Sequence, residues 1–294
     1  MPELPEVETI KLGLQKKIIG LKIQKVQVLS PKSFIGNPNL AEGQKVLKVW
    51  RKAKILGMDL TGNVTLLFHL KMSGQLVWEG NRQQVTGASK FIGGHPTEDM
   101  LGKMPNSHTR VIFSFADGSN YVLPKAKGKV PRGQAKIFQS EARSGFLYFN
   151  DQRKFGWVKL VRSSELVVGS GEKILGKLGP EPLEKEFTWE ILKKNLLKHK
   201  SMPVKRVIMD QTVISGVGNI YANEACFDAK LDPRTKLGSL TDGQFKALHS
   251  GIIRALQDGI KYGGSTRVHF VDPEGHKGYF LDYAFVYWRD KHPC

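Results

Sequence analysis

The chain has 294 residues, 40% hydrophobic and 9% aromatic, enough for two domains with separate cores, and wholesale disorder is excluded. Lysine and arginine number 45 against 27 acidic residues, giving a net charge of +18 and a pI near 9.8, which points to a polyanionic partner, nucleic acid first. A membrane partner is not expected, because the sequence holds neither an apolar run of about 18 residues nor a basic helix with a broad apolar face.

In chain order, the opening MPELPEVET is acidic and proline-bearing, unlike a secretory signal, so a cytoplasmic location is expected. Pro5 fits the first position of a helix, with Glu6 and Glu8 in the first turn where negative charge complements the dipole. From Leu21 to Leu160 the runs LKIQKVQVL, KVLKVW, VTLLFHLK, TRVIFSF, GSNYVL and SGFLYF read as strands of a sandwich or barrel-like domain. Asp117-Gly118 is a hairpin signal. Two stretches, Gly80 to Pro105 and Pro124 to Ser144, lose periodicity and read as long loops. Tyr121 to Ser140, which overlaps the second, holds five basic residues, Lys125, Lys127, Lys129, Arg132 and Lys136, and no acidic one, which by itself reads as a solvated loop.

After Val161 the pattern turns helical. Phe187 and Leu192 staple a helix capped by Thr188, and Thr241 with Gln244 forms a capping box before the face Phe245, Leu248, Ile252 and Leu256. From Gly263 the chain returns to a glycine-rich loop and then a strand-like YAFVYWR. The expected fold class is therefore α+β, with an N-terminal β domain at 1–162, a linker at 163–182, a helical domain at 183–262 and a terminal segment at 263–294. Cys226 and Cys294 are the chain's two cysteines, far apart and without a CxxC pair, so neither a disulfide framework nor a metal site is expected.

Proline at position two permits removal of Met1, which leaves a secondary amine at the terminus. An α-amino group titrates at roughly 7.7 to 8.0, so an appreciable fraction is unprotonated near neutrality. Attack on a sugar carbon would give an iminium that serves as an electron sink for elimination, and Glu3 is placed to move protons beside it. An acidic first turn is also what any good helix start requires, so spacing alone leaves both readings open. The GVGN run, Gly216 to Asn219, lacks a dinucleotide fingerprint because Tyr221 stands where the third glycine belongs. It reads instead as a glycine turn before a helix start, with Asn219 as cap and with free N–H groups for a phosphate.

MPELPEVET resembles the start of the bacterial formamidopyrimidine-DNA glycosylases, and further segments in order resemble the same family: WRKAK (Trp50 to Lys54), HLKMSG (His69 to Gly74), NDQRKFGW (Asn150 to Trp157), LGPEPL, MDQTVISGVGNIYANEACF, GGSTRVHF and GHKGYF. The resemblance implies an N-terminal β-sandwich with flanking helices and a C-terminal helix-two-turns-helix domain. It implies a monomer that binds damaged double-stranded DNA in a bacterial, nucleoid-associated setting. It makes Pro2 the nucleophile, Glu3 the proton carrier and Lys54 a catalytic contact to the lesion, with Glu6 supporting the site. His69, His108, Lys154 and Asn219 become phosphate contacts. Met72, Arg153 and Phe155 become the wedge that fills the gap left by an everted base, whose unstacking costs a few kcal/mol. Ser265, Thr266, Arg267 and Tyr279 become part of the loop over the lesion. The implied reaction is N-glycosylase plus β,δ-elimination at oxidised purines such as 8-oxoguanine and formamidopyrimidines. Leu4 favours that branch over the endonuclease VIII relatives, which carry glycine there.

Three departures stand against the resemblance. The family continues into a four-cysteine zinc hairpin, whereas here Cys294 alone falls at a first-ligand position, and no cofactor is expected. VYWR replaces the family's VYGR, and the two loops exceed the family's length. A weakly active or non-catalytic binder of damaged DNA is the alternative.

Overall fold

The computed structural model describes residues 1–80, 90–94, 103–116, 144–166, 173–265 and 280–290. The Asp117-Gly118 turn, the GSNYVL run, the basic tract, Thr266, Arg267, Tyr279 and Cys294 lie outside the described residues.

Helix α1 (Leu4–Ile18) leads into strands β1 (Lys22–Val28), β2 (Phe34–Ile35), β3 (Val46–Lys52), β4 (Ile55–Leu60), β5 (Val64–His69), β6 (Gly74–Gly80), β7 (Lys90–Gly94), β8 (Thr109–Ala116), β9 (Ser144–Asp151) and β10 (Trp157–Arg162). They form two five-stranded sheets, β1-β8-β9-β6-β7 and β2-β10-β5-β4-β3. The pairing is antiparallel except where β2 runs parallel to β10. Alternation explains the sandwich: Val111, Phe113 and Phe115 of β8 meet Leu66 and Phe68 of β5 in one core, which α1 closes with Val7, Ile10 and Leu14. Phe68 and Phe113 cross edge to face at 5.7 Å. Ile112 points the other way and packs with Phe146 and Tyr148. Because both faces of several strands are covered, continuous apolar runs replace clean alternation.

The stretch read as a loop at 80–105 contains β7, whose residues Lys90 to Gly94 pair with Glu79 to Gln75. Glycine there is a packing choice, because a Cβ on Gly93 would fall 2.3 Å from Ile10 Cγ1.

The helical part comprises α2 (Lys173–Gly176), α3 (Trp189–Leu196), α4 (Val204–Ile208), α5 (Asn219–Asp228), α6 (Asp242–Lys261) and α7 (Phe280–Tyr283). Thr188 caps α3, and Thr241 and Gln244 exchange both bonds of the capping box at α6. Leu192, Ile208, Tyr221, Phe245, Leu248, Ile252 and Leu256 build the second core, and Leu4 of α1 is inserted into it. The chain's first helix is thus shared by both cores. No helix among the described residues is long and apolar enough to cross a membrane.

YAFVYWR is not a strand. The Glu224 carboxylate on α5 accepts the N–H groups of Phe285, Val286 and Tyr287 at 2.6, 3.1 and 2.9 Å and curls the segment into turns, so its backbone is satisfied without a ladder. Trp288, where the resembled family has glycine, sits at φ 65°, a left-handed conformation that a non-glycine residue adopts at a cost.

Candidate active site

The site is built at one end of the sandwich, where β3 ends, β4 begins, β5 ends and β6, β8 and β10 begin. Register fixes this: His69 lies opposite both Ile55 and Trp157, Gly74 opposite Asp151, and Thr109 opposite Asn150. The Lys54, His69, Met72, His108 and Phe155 segments therefore share that end, and the tip of α1 joins them.

Pro2 and Glu3 are buried, and Glu3, not a later residue, is the N-cap of α1. Leu4 takes the first helical position and Pro5 the second, one place later than its sequence suggests, because Leu4 anchors the turn by donating its N–H to Gly216 O at 3.1 Å. The Glu3 carboxylate accepts from Gly218 N at 2.7 Å and Ile220 N at 2.9 Å. Those donors belong to the start of α5, whose N-cap is Gly218. The helix terminus expected to hold a phosphate is thus occupied by an internal carboxylate, and Asn219 is an exposed first-turn residue rather than the cap.

Glycine at 218 is a steric requirement, since an added Cβ would come within 2.4 Å of Glu3 Cδ. Two N–H donors and the cation of Lys54 favour ionised Glu3, but burial opposes them and Glu6 adds like charge. Burial is the largest effect, and it pushes the carboxyl up to about 7.

Glu6 ties the tip together. Its Oε2 accepts from Glu3 N at 2.8 Å, and its Oε1 accepts from the Tyr221 hydroxyl at 2.7 Å and from Ser265 N at 2.8 Å. One carboxylate thus links the chain terminus, α5 and the base of the segment read as the lesion loop. Tyr221 is fully buried, and burial raises its phenol well above the ordinary range, so it stays a donor. Its role was missed from sequence, where it served only to reject a dinucleotide motif.

Lys54 occupies the turn between β3 and β4, is 5% exposed, and burial lowers its pKa against the opposing pull of Glu3 and Glu6. The turn is gripped by an ion pair: Glu181 accepts from Ala53 N–H, and Arg51 Nη1 of β3 donates to Ala53 O at 3.2 Å and to Glu181 at 2.7 Å. Arg51 Nε adds Glu8 at 2.8 Å. These ions are mostly out of water, so removing one partner strands the other. Glu181→Ala is expected to destabilise the protein by about 3 kcal/mol in urea unfolding, whereas an exposed pair such as Lys52 with Glu184 should contribute under about 1 kcal/mol.

His69 is partly buried, and its Nδ1 accepts from Lys71 N at 3.1 Å, so the neutral ring carries its proton on Nε2. Burial, then Lys71 and Lys54, pushes its pKa down to about 3, so the ring is neutral at physiological pH. Met72 and Phe155 are apolar yet 44% and 62% exposed, and Arg153 and Lys154 beside Phe155 are exposed too. Ala53, Lys71 and Lys154, one in each of three loops at this end, hold φ of 53°, 52° and 59°, a left-handed backbone that non-glycine residues adopt at a cost. His108 is partly buried, with its carbonyl accepting from Asp151 N at 2.9 Å.

Comparison with known proteins matches residues 1–158 to the family model "Formamidopyrimidine-DNA glycosylase N-terminal domain" and residues 178–270 to "Formamidopyrimidine-DNA glycosylase H2TH domain". The chain belongs to the formamidopyrimidine-DNA glycosylase family. It is 36% identical over 300 aligned positions to the formamidopyrimidine-DNA glycosylase of Pelotomaculum thermopropionicum, covering all of this chain and 90% of that one. The solved MutM (Fpg) protein of Thermus thermophilus aligns at 31% identity with a TM-score of 0.72, again over 100% and 90%. A Lactococcus lactis Fpg in complex with DNA containing an abasic site aligns at 25% identity and a TM-score of 0.71, over 96% and 86%. Cys226 is buried in the helical core, where burial pushes its thiol up to about 11, and Cys294 is the only other cysteine.

Proposed function

We propose that this DNA glycosylase of base excision repair removes oxidised purines from duplex DNA and then cleaves the strand, using the Pro2 amine freed by loss of Met1. The observation that carries the reading is a buried carboxyl beside the chain terminus, held by the N–H groups of Gly218 and Ile220 and faced by buried Lys54. Protonated Glu3 delivers its proton to the sugar ring oxygen as the Pro2 nitrogen attacks C1′ and the C1′–O4′ bond opens. The Pro2 N–H proton passes to the Glu3 carboxylate, and the nitrogen lone pair then expels the base, which leaves with the electron pair of the C1′–base bond and takes that proton, giving the iminium. Loss of a proton from C2′ then expels the 3′ phosphate, and a second elimination expels the 5′ phosphate. Lys54 offsets phosphate charge near the reacting sugar.

Neutral His69 donates Nε2–H to a phosphate. Met72, Arg153 and Phe155 fill the vacated stack, which accounts for two large apolar side chains left in solvent. Support for the lesion class comes from solved Lactococcus lactis relatives described in complex with DNA containing Fapy-dG and with abasic DNA. The test is a duplex with one 8-oxoguanine: the free base and a one-nucleotide gap with phosphates on both ends are expected. With about six to ten phosphates neutralised, affinity should fall by roughly 10³ to 10⁵ between 50 and 200 mM salt. Salt-dependent binding without base release would favour a non-catalytic binder of damaged DNA.

A further inference from the structure

From the hydrogen bonds of Asp151 we infer, resting on the reading above, that this buried carboxylate is a positioning residue that locks the base-everting loops into one rigid unit. It lies at the end of β9 with no exposure, and both of its oxygens accept from loops that carry wedge residues. Oδ1 accepts from the Ser73 hydroxyl at 2.5 Å, next to Met72, and Oδ2 accepts from Gly156 N at 2.6 Å, next to Phe155. Ser73 Oγ in turn accepts from Arg153 N at 3.0 Å, so the hydroxyl sits between the two loops and is bonded to each. The backbone of Asp151 reaches a third loop: its N–H donates to His108 O at 2.9 Å, and its carbonyl accepts from Arg110 Nε at 2.8 Å, whose Nη1 also donates to Ser107 O at 3.1 Å.

Met72, Arg153 and Phe155 therefore project from loops bonded to the Asp151 side chain, and His108 from a loop bonded to its backbone. Without it, exposed Met72 and Phe155 would rest on backbones free to splay, and a wedge must enter the base stack as a unit, because the cost of eversion is met only when the gap is filled. The hydrogen bonds of Asp151 go to Ser73, Gly156, His108 and Arg110 and not to Pro2, Glu3 or Lys54, which separates eversion from bond breaking.

Asp151→Asn keeps the shape but turns one acceptor into a donor, facing either Ser73 or Gly156 N–H; Ser73→Ala removes the bridge with a smaller change to packing. Each variant is compared with the unaltered chain in single-turnover release of 8-oxoguanine from a fully paired duplex, in cleavage of the same duplex with a preformed abasic site, and in fluorescence of a 2-aminopurine beside the lesion. Base release is expected to fall on the order of 100-fold with a reduced 2-aminopurine rise, a displacement of about 1 Å being enough for such a loss, while abasic cleavage stays within about threefold. Equal losses on both substrates, or no loss from either variant, would overturn the inference. An unaltered chain inactive on both substrates would instead refute the proposed reaction.

Discussion

Glu3→Gln is expected to slow base release by about 10²- to 10⁴-fold, the usual contribution of a positioned proton donor, while duplex binding stays nearly unchanged. Glutamine is isosteric, and its carbonyl can keep one of the two N–H bonds from Gly218 and Ile220, so the loss comes mainly from the missing proton. The pH profile carries the sign. Glu3 must be protonated to open the sugar ring, so the base-release rate of the unaltered chain declines as pH rises above about 7, and the glutamine variant lacks that limb.

Stability gives an independent reading of the same group. Its folded pKa of about 7 exceeds the reference value of 4.5, so the native state holds the proton more tightly than the unfolded chain does. This contribution is fully present below about 4.5 and is lost as pH rises to about 7. A difference of that size corresponds to about 3 kcal/mol. Between pH 4 and pH 8 the stability of Glu3→Gln relative to the unaltered chain should therefore rise by about that amount in urea unfolding. A constant difference across that range would show that Glu3 is not perturbed.

Gly218→Ala should be nearly as damaging as Glu3→Gln, with base release lowered on the order of 100-fold. The φ of Gly218 is −133°, which any residue adopts, so backbone strain does not contribute. The added methyl would lie 2.4 Å from Glu3 Cδ and must drive the carboxylate off both N–H groups. Gly216→Ala is the control: at φ 92°, with its Cβ 2.5 Å from Leu4 Cδ1, it should lower stability as well as rate. If Gly218→Ala released base at the normal rate, the contact between Glu3 and α5 would have no part in the reaction.

Helix starts and apolar faces were legible in the sequence because their signals are local. Thr241 and Gln244 close the box their spacing implies, and Phe245, Leu248, Ile252 and Leu256 are all buried in the second core. Strand β7 was not legible, because Gly93 reads as a breaker until Ile10 of α1 is seen lying against it. The YAFVYWR segment misled in the opposite direction, since its β-like composition is overridden by a carboxylate 61 to 63 residues earlier in the chain.

Within the site, adjacency exposed Pro2 and Glu3, and the resemblance supplied Lys54 and the wedge residues. The groups that hold them, Tyr221, Glu181, Ser73 and Asp151, act through bonds spanning 78 to 215 positions, apart from the five-residue bond of Asp151 to Gly156, and no local pattern marks those long-range partners. The start of α5 showed its dipole in the sequence, but not the internal anion that meets Gly218 and Ile220 from 215 to 217 residues away.

The most direct measurement is borohydride reduction of the chain, first freed of Met1, on a duplex carrying 8-oxoguanine, followed by peptide mapping of the trapped adduct. The sugar remnant is predicted on the peptide that begins with Pro2, and chains that retain Met1 or carry an acetylated terminus should give neither adduct nor cleavage. An adduct on Lys54 or any other side chain, or cleavage by a chain with a blocked terminus, would contradict the account.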